Sequence, residues 1–213
     1  FSSSNKCGRE VIFAVHQDVS EALNGPAYYL GWNESYVEAA YRNNPVPTTG
    51  GNQWWWYTDT YRALLQADPA DTRAALTCRT ADYGTGGRRI GWTEKLMGRV
   101  DNGTRIFDSD FILYRYGEAF LMAAEARYYG KDYAGALEAL APLAARAYGR
   151  RDYYTDTSPE AVLQAIVDEY LREMVGEGRT WWMLLRTDKI WEYSADIAAQ
   201  RDKNPNICLL YTS

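Results

Sequence analysis

Few residues in this sequence could act in catalysis. It contains one histidine, His16, and no Gly-x-Ser-x-Gly motif that would hold a serine nucleophile for it. Two glutamate pairs, Glu118/Glu125 and Glu173/Glu177, have spacings that place both carboxylates on one face of a helix. Such a pair could supply the acid and the base of a glycosidase. Both pairs lie among apolar residues and not beside an evident groove, so the sequence predicts a protein that is not an enzyme.

Aromatic rings interleaved with amides are the second chemical feature. The sequence has 18 tyrosines and 8 tryptophans, and three tryptophans are consecutive in "GGNQWWWYTDTY". Sugars pack their C–H faces on such rings, while their hydroxyls bind amide and carboxylate groups at the rim. We therefore predict ligand-binding residues in the stretch from 28 to 57, namely Tyr28, Tyr29, Trp32, Asn33, Asn52, Trp54, Trp55 and Trp56.

The three consecutive tryptophans leave an alternative open. Side chains of an extended chain alternate between two faces, so the three rings cannot all point the same way if the segment is extended. We expect at least one of Trp54, Trp55 and Trp56 to pack beneath the loop and at least one to be exposed. In the alternative, all three cover the helical scaffold and bind nothing.

Composition argues against several classes of protein. The net charge is −5 and no segment carries a basic stripe, which removes the usual electrostatic attraction to nucleic acid. No apolar run approaches the roughly 20 residues that a membrane span requires. Cys7, Cys78 and Cys208 form no Cys-x-x-Cys pair, which argues against a disulfide framework or a structural zinc site. No metal or cofactor is predicted.

The elements that must position these residues divide the sequence into two parts and a tail. Residues 1–108 are loop-rich, with a strand predicted at Glu10–Val15 and a short helix from the Thr58-Asp59 cap to about Gln66. Residues 109–206 are predicted to be helical. The closing "ICLLYTS", residues 207–213, differs from this pattern and is predicted to be a tail that is not native.

Four helices are predicted in the second part. The first begins at a cap formed by Ser109 or Asp110 and ends at Gly130, and proline is expected to kink or shorten the second at Pro142. The third is capped by Ser158, and the fourth is expected to run unbroken from 179 to 202. The turn between the first two resembles that of a tetratricopeptide repeat. The predicted fold is mainly α, with tetratricopeptide-like helix pairs, long irregular loops and a few short strands.

Charged residues within the first helix interrupt an otherwise apolar surface. A helix that is apolar all round should be largely buried, and buried carboxylates need partners. We predict that Glu118 and Glu125 join a buried network with arginines of the same and later helices, catalysis being the alternative; these arginines are Arg115, Arg172, Arg179 and Arg186. Trp181 and Trp182 are expected to pack in the core.

Two motifs carry a family resemblance. The first has the form Arg-x-x-Glu-x-x-Leu-x-x-Ala-Glu-Ala and is formed by Arg115, Glu118, Leu121, Ala124, Glu125 and Ala126. The second is formed by Glu169, Glu173, Glu177, Gly178, Trp181, Trp182 and Arg186. Together with the turn "DPADTR", they make this sequence resemble the C-terminal half of the SusD/RagB family. The motif residues with an expected structural role are Arg115, Glu118, Glu125, Glu173, Glu177 and Arg186.

The resemblance implies an α–α superhelix and a function. Members of this family are outer-membrane lipoproteins, outward-facing, that capture nutrients, mostly glycans, for a SusC-like TonB-dependent transporter. The expected function is therefore non-enzymatic glycan capture, with helix pairs contacting the transporter and a lipid anchor on an N-terminal part outside this sequence. The alternatives are a peptide-binding member of the family or a repeat scaffold for protein–protein interaction; a helical glycosidase ranks below both.

Overall fold

The computed structural model describes residues 6, 8–21, 26–31, 33, 38, 51, 52, 54–84, 88–194, 198 and 199. The described residues after position 115 include five helices with assigned bounds, and their apolar faces form the main core, which contains Leu121, Leu140, Ile166 and Met183. The helices are α4 (Tyr116–Tyr129), α5 (Tyr133–Tyr148), α6 (Pro159–Glu173), α7 (Thr180–Arg186) and α8 (Ile190–Tyr193). The prediction of a mainly α fold is confirmed.

The elements before α4 are short. They are β1 (Val11–Val15), a 3-10 turn (Val19–Glu21), α1 (Pro26–Leu30), α2 (Asp59–Leu65), α3 (Ala74–Thr77), β2 (Arg79–Gly84), β3 (Arg88–Trp92), β4 (Arg99–Asp101), β5 (Thr104–Ile106) and β6 (Phe111–Arg115). The strands pair antiparallel as β1 with β6, β2 with β3 and β4 with β5. The predicted strand before residue 16 and the helix capped by the Thr58 side chain are confirmed.

The first long helix begins later than predicted. Residues 111–115 form β6, whose register against β1 pairs Val11 with Arg115 and Val15 with Phe111. The predicted cap residue Asp110 instead accepts a hydrogen bond from the backbone N–H of Gln17 at 3.2 Å. Strand pairing with a distant segment therefore overrides the helical preference of this stretch, and α4 starts only at Tyr116.

Two further boundaries differ from the prediction. Pro142 does not shorten α5, which continues to Tyr148. The predicted fourth helix is divided into α7 and α8, because Asp188 adopts a left-handed conformation with φ of 56°. The backbone N–H of Lys189 then donates to the carbonyl of Leu184 at 2.9 Å and closes the end of α7.

One face of α4 is exposed, although the sequence predicts a largely buried helix. Met122 and Tyr129 are both more than half exposed, while Leu121 and Ala124 are buried against α5 and α6. Trp181 and Trp182 on α7 are exposed as well, so the expectation that they pack in the core is wrong. None of the helices in the described ranges has the length and apolar character needed to cross a membrane.

Candidate functional site

The candidate ligand-binding residues are brought together by two short segments that lie side by side. The backbone N–H of Asn52 donates to the carbonyl of Tyr28 at 2.7 Å, and the N–H of Trp54 donates to the carbonyl of Tyr29 at 2.8 Å. A Cβ atom on Gly51 would lie only 2.4 Å from the carbonyl oxygen of Gly31. Glycine at position 51 is therefore required for the close approach of the two segments.

Tyr28 anchors this arrangement. Its ring packs edge-on against Phe107 with centroids 5.7 Å apart, and Leu96 and Met97 complete the same apolar cluster. The next ring, Tyr29, contacts Tyr28 edge-on at 5.3 Å and lies 4.8 Å from the ring of Trp54. Tyr28 thus supports the exposed rings and is less suited to contact a ligand itself.

The tryptophans form an open aromatic surface. Trp54, Trp55 and Trp56 are 61%, 57% and 43% exposed, and the Trp55 ring centroid lies 5.8 Å from that of Tyr29. The expectation that one of the three packs beneath the loop is wrong. We use the name aromatic surface for Tyr29, Trp54, Trp55 and Trp56 together with the two amides beside them, Asn33 and Asn52.

Amides lie beside these rings, as the sequence suggests. The Asn33 side-chain nitrogen donates to the side-chain oxygen of Asn52 at 3.3 Å, which joins the two segments a third time. Trp32 lies outside the described residues. The arrangement offers ring faces for C–H groups and amide groups for hydroxyls, and its role in ligand binding remains a prediction.

A second candidate site, the buried ion network, centres on Glu173. Arg73 reaches its Oε2 atom at 3.1 Å, Arg115 reaches its Oε1 atom at 2.6 Å, and Arg146 also binds Oε1. Burial alone would raise the pKa of Glu173, but the charges of Arg115, Arg146, Lys95 and Arg73 outweigh it and hold the pKa well below its usual range. Glu173 is therefore ionised and fully committed to structural pairing.

Arg115 has partners other than the one the sequence suggests. It pairs with Glu10 at 2.7 Å, Glu173 at 2.6 Å and Glu177 at 2.7 Å, whereas the sequence suggests Glu118, three residues later. The guanidinium of Arg115 lies between the end of α6, where it contacts Glu173, and the first turn of α4, where a Cβ atom on Gly117 would collide with it. Burial would lower the pKa of Arg115, yet its bonds to Glu177 and Glu173 raise it.

Several members of this network were not predicted as such from the sequence. Lys95 is buried and pairs with Glu177 at 2.7 Å, and Arg73 pairs with Asp71 and Glu169 at 2.8 Å each. Arg73 ends the "DPADTR" turn, so the turn motif offered a signal for it. Lys95 offered none, because no motif marks it.

The two carboxylates of α4 have the arginine partners that the sequence predicts. Glu118 pairs with Arg179 at 3.3 Å, and Glu125 accepts two hydrogen bonds from Arg186 at 2.8 and 2.9 Å. Arg172 instead donates to the hydroxyls of the tyrosines Tyr148 and Tyr154. Since Glu118 and Glu125 are each engaged by a guanidinium, the pair lacks the free acid and base of a glycosidase.

Glu125→Ala is expected to lower the free energy of unfolding by about 1.5–3 kcal/mol, the usual range for hydrogen bonds to a charged group. The loss of a fully buried partner would cost more, but the Arg186 side chain is 49% exposed and water can solvate it. A double-mutant cycle with Arg186→Ala in urea denaturation measures the coupling. Unfolding midpoints that do not change in either single variant would contradict this pairing.

The second half of the chain matches the model of a known protein family. The family model described as the SusD family matches residues 91–207, which is more than half of the chain. The chain belongs to the SusD family. The matched range includes Lys95, Arg115, Glu118, Glu125, Glu173, Glu177 and Arg186, while Glu10, Asp71 and Arg73 of the buried ion network precede it.

Solved structures of the SusD superfamily share this fold. A protein from Bacteroides fragilis is 26% identical with a TM-score of 0.68, and the match covers 86% of this chain and 42% of that chain. One from Bacteroides vulgatus is 26% identical with a TM-score of 0.64, covering 87% and 37%. One from Bacteroides thetaiotaomicron is 25% identical with a TM-score of 0.59, covering 85% and 39%. The chain thus spans about two fifths of the length of these structures.

The search of curated proteins gave no match to this chain. The SusD-family assignment therefore depends on the family model and on the structural matches.

Proposed function

We propose that this SusD-family chain captures a glycan on the aromatic surface, without catalysis, for delivery to a SusC-like TonB-dependent transporter. The observation that carries the proposal is the open set of rings at Tyr29, Trp54 and Trp55, held beside amides on two segments joined by hydrogen bonds. Exposed tryptophans are costly in a soluble protein unless a ligand covers them. Membership of a family of outer-membrane binding proteins supports the same conclusion.

Binding would combine two weak interactions. The apolar faces of sugar rings would pack on Trp54 and Trp55, while Asn33 and Asn52 would exchange hydrogen bonds with ring hydroxyls. The rings of Trp54 and Trp55 are tilted by 53° and 56° relative to the ring of Tyr29, so the three rings do not form a flat plane. We expect such a surface to fit a curved or twisted oligosaccharide better than a flat one.

Affinity electrophoresis of the 213-residue chain against a panel of polysaccharides tests this proposal. Retardation by one glycan is expected, and a Trp54→Ala, Trp55→Ala double variant should weaken it by roughly 5- to 150-fold, because aromatic contacts contribute about 0.5–1.5 kcal/mol each. The control Val100→Ala removes an equally exposed apolar side chain on the β4–β5 hairpin and should leave binding unchanged.

A second variant separates the loss of rings from the loss of their arrangement. Gly51→Ala keeps every ring but forces the two segments apart, so it should also weaken retardation while the thermal melting of the helical core is retained. Retardation that survives in both variants would place the glycan elsewhere. Retardation by no glycan, with binding of peptides that depends on Trp54 and Trp55, would favour the peptide-binding alternative.

The remaining parts of the proposal come from family membership. We propose an outward-facing position on the outer membrane and helix pairs that contact the transporter. We also propose that no reaction is catalysed, since the best-placed carboxylates, Glu118 and Glu125, are held by arginines. In the described ranges, no group of three or more His, Cys, Asp or Glu side chains could hold a metal ion.

A further inference from the structure

The turn between α6 and α7 contacts residues that adjoin both segments of the aromatic surface. We call residues 174–179 the α6–α7 turn. Gly176 has a left-handed backbone conformation with φ of 74°, and a Cβ atom on it would lie 3.2 Å from Cδ1 of Leu30 and 3.3 Å from Cγ2 of Thr93. Both distances are closer than ordinary van der Waals contact. The side chains of Leu30 and Thr93 therefore lie directly against a position that has no side chain of its own.

Leu30 links the α6–α7 turn to the first segment. It is the last residue of α1 and follows Tyr29, whose carbonyl accepts the hydrogen bond from the backbone N–H of Trp54. The residue after it, Gly31, makes the close approach to Gly51. Leu30 thus lies between the two backbone positions that join the segments, so a displaced Leu30 side chain should change how the segments meet.

Thr93 and Val175 link the same turn to the second segment. Thr93 is 0% exposed, and a side-chain hydrogen bond joins it to Tyr57, the residue that follows Trp56. Val175, the neighbour of Gly176 in the turn, is 1% exposed and belongs to the apolar cluster against which Tyr57 packs. Both segments of the aromatic surface are therefore supported from one turn.

The buried ion network holds this turn in place. Glu177 pairs with Lys95 and with Arg115 at 2.7 Å each, and the three side chains are at most 5% exposed. Lys95 also donates its backbone N–H to the hydroxyl of Thr93 at 3.1 Å. Breaking a buried pair is costly because it leaves an unpaired charge away from water. A side chain added to the turn would therefore displace Leu30 rather than the turn itself.

We propose, on the basis that the aromatic surface captures a glycan as proposed above, that Gly176 is a positioning residue for glycan binding. The missing side chain at this position lets Leu30 and Thr93 hold the rings and amides in their binding arrangement. Gly176 acts through Leu30 and does not touch the glycan.

The test compares Gly176→Asn with Gly178→Asn in the 213-residue chain. Both glycines have φ of 74°, and asparagine tolerates this conformation better than most residues with a side chain. A Cβ atom on Gly178 would meet no atom within 4 Å, so the control has the same backbone strain without the contact with Leu30. Affinity electrophoresis should show glycan retardation weakened by about 2- to 13-fold in Gly176→Asn, as for the loss of one aromatic contact, and unchanged in Gly178→Asn.

Fluorine NMR measures the positioning without a glycan. In chains labelled with 5-fluorotryptophan, the signals of Trp54 and Trp55 are assigned with Trp→Phe variants. Gly176→Asn should shift both signals, and Gly178→Asn should leave them in place. Thermal melting checks that each variant folds. If Gly176→Asn does not fold, Leu30→Ala removes the same contact from the other side and should shift both signals.

Three outcomes would overturn the proposal. The first is fluorine signals of Trp54 and Trp55 that stay as in wild type in the folded variants. The second is equal glycan retardation in Gly176→Asn and Gly178→Asn. The third is losses of retardation in Leu30→Ala and Gly176→Asn that add in the double variant, because two changes at one contact should be less than additive.

The failure of glycan capture would be distinguishable from the failure of this proposal. If wild type is retarded by no glycan, glycan capture by the aromatic surface is wrong. Fluorine signals that shift in Gly176→Asn and not in Gly178→Asn would then still support the role of Gly176 in positioning the rings.

Discussion

Glu173→Ala is expected to lower the free energy of unfolding by about 3–5 kcal/mol, the cost of removing one partner from a buried ion pair. Arg73, Arg115 and Arg146 all contact its carboxylate, and the side chain is 4% exposed. Water cannot replace the lost charge around Arg115, whose own side chain is 2% exposed. For a chain of this length, the change corresponds to a fall in melting temperature of roughly 6–20 °C.

The matched control for this measurement is Glu138→Ala. Glu138 pairs with Arg151 at 2.7 Å, but both side chains are more than half exposed. Surface pairs of this kind contribute about 0–1 kcal/mol, so the melting temperature should barely change. Thermal denaturation followed by circular dichroism compares the two variants. If Glu173→Ala melts no lower than Glu138→Ala, the ion network does not stabilise the fold.

The stability of the chain should fall in acid, and Glu173 should cause much of the fall. Its pKa in the folded chain is held below the ordinary value of 4.5 that applies in the unfolded chain. The unfolded state therefore binds a proton first, so the contribution of Glu173 is fully present above about pH 4.5 and is lost as the pH falls below it. The pKa of Glu10 is lowered too, by Arg115 and Arg146 acting against its burial, and adds a loss of the same sign.

The contribution of Glu118 to stability changes with pH in the opposite direction. Burial raises its pKa, so its contribution to stability is present below its pKa in the unfolded chain and is lost as the pH rises through its pKa in the folded chain.

The contribution of Glu173 is isolated by measuring the free energy of unfolding in urea from pH 7 to pH 3 for wild type and Glu173→Gln. Glu173→Gln should have a lower free energy of unfolding than wild type at pH 7 and should lose less of it between pH 7 and pH 3. Free energies of unfolding that fall in parallel in the two proteins would contradict the assignment to Glu173.

The helical part could be predicted well because its signals are local. Proline at the start of α6, a glycine after α4 and the spacing of apolar residues in α5 all depend on near neighbours. The failures share a physical cause. Residues 111–115 form a strand because β1, about 100 residues earlier, offers a partner. A single sequence does not reveal such pairings, and the exposure of Trp181 and Trp182 is equally a property of the assembled surface.

The functional residues also divide into those marked by local sequence and those whose arrangement depends on distant segments. The apolar surroundings of Glu118 and Glu125 predicted that these carboxylates pair with arginines, and the structure has Arg179 and Arg186 as their partners. The pairing of Glu173 with Arg115 was not predicted. The aromatic composition predicted Trp54 and Trp55 as ligand-binding residues; both are exposed, and their role in binding stays a prediction. The geometry between the two segments could not be predicted, because it depends on backbone hydrogen bonds from Asn52 and Trp54 to residues more than 20 positions earlier.

The ion network also determines which parts of the chain must fold together. Its cations include Arg73 and Lys95, which precede position 108, while Glu169, Glu173 and Glu177 follow it. Composition predicts a boundary at residue 108. Dividing the chain there would separate cations and carboxylates that stabilise each other only when both parts are present. We expect the two parts to unfold in one cooperative transition. A polypeptide restricted to residues 109–206 would lose Arg73 beside Glu169 and Lys95 beside Glu177, while Arg115 would still pair with Glu173. We expect it to be less stable than the 213-residue chain and to gain stability relative to it in acid, because protonation neutralises a buried carboxylate that has lost its cation.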